Sequence, residues 1–235
     1  MLRNSILFVI LAGLTWILFQ EYSEFESRKE LNPVASYYAD NGPTETGAAN
    51  LVTSVVVTYR GLDTLGEVTI LFLASAIIGL MLKADKSVRR EKAHKSSEFL
   101  TTAAHILLPV ISLVGVYIFI NGHLTPGGGF QGGAILASAL ILMVISFPDK
   151  KFSHKILDIT ESISGIAFII LGVLGIFLAG GFLDNKIFGL GNLGELFSAG
   201  AIPIIYSFIG LKVGAELSGV ILEFNKIQGE QDESI

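Results

Sequence analysis

The sequence predicts an all-α integral membrane protein of about six transmembrane helices, with a short re-entrant or interfacial helix before the second. Apolar residues make up 51% of the 235 residues and charged residues only 16%, with a mean hydropathy of +0.64. They fall in continuous blocks of about 20 residues, not in alternating or one-sided stripes, and such blocks need lipid as their solvent. No segment between the blocks suits a separate soluble domain.

Composition also excludes function classes. The chain has no cysteine, so neither a disulfide framework nor a thiolate metal or iron–sulfur site can be built from it. No cofactor is expected within it. The net charge of −5 comes from loops, without the basic groove and interleaved aromatics that nucleic-acid binding needs.

Residues 4–20 form the first apolar run, just long enough to span. A cleaved signal peptide is the rival, but no small-x-small cleavage site follows, and Trp16 and Phe19 suit an interfacial end; a retained helix is expected. Residues 21–46 are polar and punctuated by Pro33 and Asn41-Gly42-Pro43, which predicts a surface loop with turns. The apolar piece from Gly47 to Tyr59 is too short to span and reads as the interfacial or re-entrant helix. Arg60-Gly-Leu-Asp-Thr-Leu-Gly-Glu67 breaks it, and residues 64–82 give the second span.

The stretch from Lys83 to Glu98 is the one strongly charged internal segment, a predicted cytoplasmic linker and module boundary. Residues 99–120 and 128–147 then form an antiparallel pair of spans joined by a tight link. Pro126 ends helical continuity there, and Gly127, Gly128 and Gly129 tolerate backbone angles and close approaches that other residues resist. Fifth and sixth spans cover 157–179 and about 198–224, separated by a glycine-rich acidic loop. The resulting division is 1–83 with two helices, 84–98 as linker, 99–227 with four helices, and 228–235 as a polar tail. With both termini on one side, eleven Lys and Arg fall on that side and four on the other, which predicts cytoplasmic termini in the cell membrane.

Gly127-x-Gly129-x-x-Gly132 matches the dinucleotide fingerprint formally, but both flanks are spanning-length apolar runs where the fingerprint needs strands. Gly128-x-x-x-Gly132 and Gly129-x-x-x-Gly133 instead read as small-residue faces for close helix packing in lipid.

Ionisable residues within the spans are the candidate chemistry, because charge at membrane depth is costly unless paired or wet. Lys212 and Glu216 share one face at i,i+4, with Lys212 near the membrane middle. Either they form an ion pair that locks the bundle, or Lys212 is a protonatable amine held by Glu216. His105 and Glu161 lie at a depth similar to Glu216, consistent with a proton chain, although a lone histidine on an apolar helix is usually a packing residue. Asp63, Glu67 and His123 form a second candidate group on the outer side, where residues near span ends can also simply reach water. No nucleophile–base set or metal-spaced histidine pair accompanies them.

Gly122-His-Leu-Thr-Pro-Gly-Gly-Gly-Phe-Gln-Gly-Gly133 resembles the Gly-His-x-x-Pro-Gly-Gly-Gly-Phe-x-Gly-Gly signature of the B subunit (MrpB/MnhB) of Mrp-type multisubunit cation/proton antiporters. The resemblance extends over about residues 99–224, and Gly210-Leu-Lys-Val-Gly-Ala-Glu216 is similar to the variant in archaeal membrane-bound hydrogenase and sulfur-reductase complexes. Upstream, residues 60–67 resemble Arg-Gly-Phe-Asp-Thr-Leu-Gly-Glu at the C-terminal end of the large A subunit, or of the small separate subunit that replaces that end in those archaeal complexes, with Leu62 in place of Phe. Together these imply a fusion of two neighbouring subunits, with Glu67 as a carried-over candidate for ion transfer. The resemblance further implies Na⁺ and H⁺ as transported ions, and other Mrp-type membrane subunits as partners, with peripheral hydrogenase-like or sulfur-reductase subunits in the redox-driven complexes. Expected is a subunit contributing to ion translocation that neither transports nor catalyses alone. The alternatives are a scaffold that only anchors its neighbours and, without any supporting constellation, a stand-alone membrane enzyme.

Overall fold

The computed structural model describes residues 2–24, 30–84, 96–148, 150 and 153–229. Among them the regular elements are helical: α1 (Leu2–Glu24), α2 (Pro33–Thr46), α3 (Leu51–Thr53) running into a π-helical turn (Ser54–Tyr59), α4 (Gly61–Ala84), α5 (Glu98–Ile120), α6 (Gly129–Ser146), α7 (His154–Leu178), a short 3-10 turn (Asn185–Ile187) and α8 (Ile202–Gly229). Six of these, α1 and α4 to α8, are long and apolar enough to cross a membrane. The chain divides into two compact units, Met1–Tyr37 and Tyr38–Ile235.

The expected loop over 21–46 is corrected in part. α1 extends to Glu24, and Pro33–Thr46 is a helix. Proline at a first helical position has the required φ and no N–H to lose, while the Asn32 side chain accepts from the Ala35 amide at 2.7 Å and caps the end. Pro43 falls in the last turn, where only one backbone bond is forfeited and Thr44 and Thr46 return their hydroxyls to the carbonyls of Asn41 and Gly42. The apolar piece expected over Gly47–Tyr59 is helical only from Leu51, because Asn50 caps it there. The 84–98 linker lies outside the described residues over 85–95, as does the tail beyond Gly229.

Within the 38–235 unit, α8 is the hub. It buries 56% of its apolar window, against 6% to 33% for α4, α5, α6 and α7. On one side α6 and α5 pack onto it, and on the other α4 and α7 do. Ile202, Ile205, Ile209 and Val213 supply the three-to-four spacing that faces the core, where they meet Val57, Val68 and Phe168. α4 therefore shares its core with the helices beyond the charged segment.

Glycines determine the closest approaches. A Cβ on Gly133 would lie 2.7 Å from the Gly210 carbonyl oxygen, one on Gly129 2.6 Å from Ile209 Cβ, and one on Gly132 2.6 Å from the Gly115 carbonyl oxygen. Gly129 and Gly133 thus seat α6 on α8, while Gly132 seats it on α5, as small-residue spacing in lipid requires.

Candidate functional site

Three charged side chains meet on the side of α8 that faces α4 and α7. The Lys212 ammonium donates to Glu216 Oε1 at 2.5 Å and stands 3.8 Å from Glu161 Oε1 on α7. The i,i+4 spacing on α8 makes the first pair, and α7 brings the second acid from 51 residues away. Lys212 also lies 5.0 Å from the centre of the Phe72 ring on α4, within cation–π range. Their exposures differ in a way that orders them. Glu216 is fully enclosed at 0%, Lys212 retains 11%, and Glu161 retains 23%. The second oxygen of Glu216, Oε2, is buried without a hydrogen-bond partner.

Outward from this cluster, α4 and α7 flank a cavity of about 350 Å³ with α8 as its floor. Apolar side chains such as Leu65, Val68 and Phe168 form most of its wall, and Glu161 and Lys212 are its charged members. Gly165 gives the lysine stem its place: a Cβ there would lie 3.4 Å from Lys212 Cδ. One ammonium between two carboxylates leaves an excess negative charge if both acids ionise. At membrane depth an uncompensated charge costs about 2.5–3.5 kcal/mol or more. The cluster is therefore suited to gaining and losing one further proton or monovalent cation, with Glu161 as its most accessible member.

At the N-terminal end of α8, the glycine link is held by a polar knot. His123 is fully buried. Its Nε2–H donates to the Glu195 carbonyl at 3.4 Å, while Nδ1 has no partner. Burial pushes its imidazole below the ordinary histidine value of 6.5, and nearby carbonyls of Glu195, Ile120 and Leu196 oppose that shift only in part. The Asn50 side chain donates to the carbonyls of Gly122 and Thr125, both at 2.9 Å, and Thr53 donates to Gly122 at 2.6 Å. Tyr206 on α8 donates to Thr53 at 3.2 Å. Asn185 similarly ties Thr46 to Ala199. Pro126 and the glycines behave as a hairpin within this knot: Gly127 takes φ +137°, a conformation side chains resist, and Gly128 has the Tyr206 ring 3.0 Å from where a Cβ would stand.

Of the residues singled out in the sequence, Glu161, Lys212 and Glu216 come together. Glu67 and Asp63 do not join them. They line a separate cavity of about 430 Å³ with Arg60, Thr64 and Gly66, beside the π-helical turn, where Asp63 pairs with Arg60. Nor does His105, which is exposed on α5, bonded to the Thr101 carbonyl oxygen at 2.7 Å and edge-on to Phe147. His123 does not line that cavity and is instead buried with its Nε2 on the Glu195 carbonyl. Sequence inspection missed Phe72, Gly165, Asn50, Thr53, Asn185 and Tyr206. Only Asn50 carried a signal, as a capping residue directly before an apolar run. The others are ordinary residue types whose partners lie far away in the chain.

A multi-pass helical membrane protein with a glycine-packed seam and a charged station on its central helix is the class these features define. Residues 99–219 match the family model described as a domain related to the MnhB subunit of Na⁺/H⁺ antiporters, and residues 2–96 match that of MbhE, the E component of MBH. The chain belongs to the MnhB-related family of antiporter subunits. Similar proteins include an uncharacterised protein of Methanocaldococcus jannaschii, 34% identical over 72% of this chain and 74% of that one. Among solved structures, a chain of the membrane-bound sulfane sulfur reductase, an archaeal respiratory membrane complex, is 42% identical with a TM-score of 0.80, covering 95% of this chain and 98% of that one. A chain of the Mrp complex from Dietzia sp. DQ12-45-1b is 26% identical with a TM-score of 0.78, covering 99% of this chain and 26% of that one. Curated antiporter subunits are matched over 14% to 62% of their own length.

Proposed function

We infer that this chain is a membrane subunit of a multisubunit Na⁺/H⁺ antiporter module within a larger redox-driven respiratory complex, and that Glu161, Lys212 and Glu216 form a protonatable station in it. The carrying observation is a lysine 2.5 Å from one acid and 3.8 Å from a second that opens on a cavity. Swinging the ammonium from Glu216 on α8 towards Glu161 on α7 needs only about 1 Å of movement to close the present 3.8 Å to hydrogen-bond distance. A proton or cation arriving at Glu161 from the cavity side would hold the lysine at Glu216, and its departure would let the ammonium move towards Glu161. Glu67, with Asp63 at its own cavity, would serve a separate step nearer the outer surface. His123 is too enclosed to be more than a modest contributor there.

Na⁺ and H⁺ are the transported ions in this account, the partners are other Mrp-type subunits and a peripheral hydrogenase-like or sulfur-reductase arm, and the chain carries no catalysis alone. Its termini lie on the cytoplasmic side of the cell membrane, as the eleven-to-four split of basic residues indicates.

The test replaces Lys212 by Met and Glu216 by Gln together and measures ion-gradient formation in the intact complex. Loss of transport per assembled complex is expected. Normal assembly with unchanged transport would reject the station. Reduced complex yield with unchanged transport per complex would favour the scaffold function, for which the glycine seam between α6 and α8 is the specific support.

A further inference from the structure

The outward face of α5 carries Thr102, His105, Ile106, Pro109 and Leu113 at three-to-four spacing, all exposed. His105 Nδ1 lies 2.7 Å from the Thr101 carbonyl oxygen. A carbonyl only accepts, so Nδ1 carries the proton, and in the neutral ring Nε2 presents a lone pair. The Phe147 ring meets the imidazole edge-on at 4.9 Å and 82°, which limits its rotation. Pro109 lies inside α5 and has no N–H, so the main-chain carbonyl of His105, four residues earlier, lacks its helical donor.

Two acceptors without donors therefore sit within one turn on an otherwise largely apolar surface. By helical rise they lie roughly 10 Å from the start of α5, at a depth where unsatisfied polar groups are penalised. Acyl chains have no donor to give them. We propose that this face of α5 is an interface with a transmembrane helix of a neighbouring subunit, which presents a hydrogen-bond donor side chain (lysine, arginine or a hydroxyl) to the His105 imidazole and carbonyl. The interface rests on the chain being one subunit of a larger membrane complex, but it can fail while that holds.

The experiment uses the purified intact complex with photoreactive benzoylphenylalanine at Ile106 or Leu113. The expected product is a crosslink to one partner peptide bearing Lys, Arg, Ser, Thr or Tyr within about one helical turn of the attachment point. His105→Leu should weaken retention of that partner about threefold, the usual worth of one interhelical hydrogen bond in lipid, and His105→Gln, whose amide oxygen still accepts, should restore it. Crosslinks to lipid alone, or to a peptide without a donor, overturn the interface, as does full retention with His105→Leu. If the other subunits co-purify while crosslinks reach only lipid, the interface fails and the subunit assignment stands; if the chain purifies without partners, both fail.

Discussion

α8 has two sides built on opposite principles. Towards α6 it offers Gly210 and Gly214 to Gly133 and Ile209 to Gly129, and the backbones approach until a Cβ added at Gly133 or Gly129 would collide with a carbonyl or a branched side chain. Towards α4 and α7 it offers Lys212, and the two flanking helices leave a cavity of about 350 Å³ beside it. Small residues close one side to ions and water, whereas a long charged side chain with a glycine opposite keeps the other open. A single hub helix can thus be fixed on one side while charge on its other side has room to move.

The largest effect is expected from Lys212→Met alone. It removes the cation paired with enclosed Glu216, and an unpaired buried acid costs about 3–5 kcal/mol. Thermal unfolding of the purified protein should show that loss, and adding Glu216→Gln should recover most of it; a double variant as unstable as the single one would deny the pairing. On the closed side, Gly133→Val should cost about 3 kcal/mol through overpacking, since its Cβ would lie 2.7 Å from the Gly210 oxygen. An unchanged melting temperature would mean that the seam can open.

At the far end of α8, Asn50→Ala removes a helix cap and two bonds to the glycine link, for an expected loss of about 2 kcal/mol in the same assay. His123 adds a pH dependence. Its folded imidazole is held below the ordinary value, so as pH falls through about 6.5 the unfolded chain takes up a proton that the folded chain refuses, and stability declines. Comparing unfolding at about pH 7.5 and about pH 5.5 should show this decline in the wild type and a flatter response in His123→Gln. The smallest stability effect is expected from Gly165→Ala, within about 0.5 kcal/mol. Its methyl would touch the Lys212 stem at 3.4 Å, so ion transport per assembled complex should change where stability does not.

Much of the fold was legible because lipid imposes one simple requirement, long unbroken apolar runs, and the six spans fall near the predicted ranges. The residues from Pro33 to Thr46 were harder, since proline and glycine end helices in some positions and are tolerated in others. Within the site, Lys212 and Glu216 were readable together because helical spacing alone makes them neighbours. Glu161 was readable only by depth. His105 shares that depth, yet it faces outward, because depth along a helix says nothing about rotation around it.

Composition and local periodicity specify the membrane class, the number of spanning helices, the glycine link and the Lys212–Glu216 pair. Tertiary structure alone decided that Glu161 completes the charged cluster while Glu67 and His105 stand apart, that Asn50 and Asn185 lock distant loops, and that His123 is enclosed. Those outcomes depend on how each helix is rotated against α8, which is decided by where glycines allow backbones to touch and where larger side chains hold them apart.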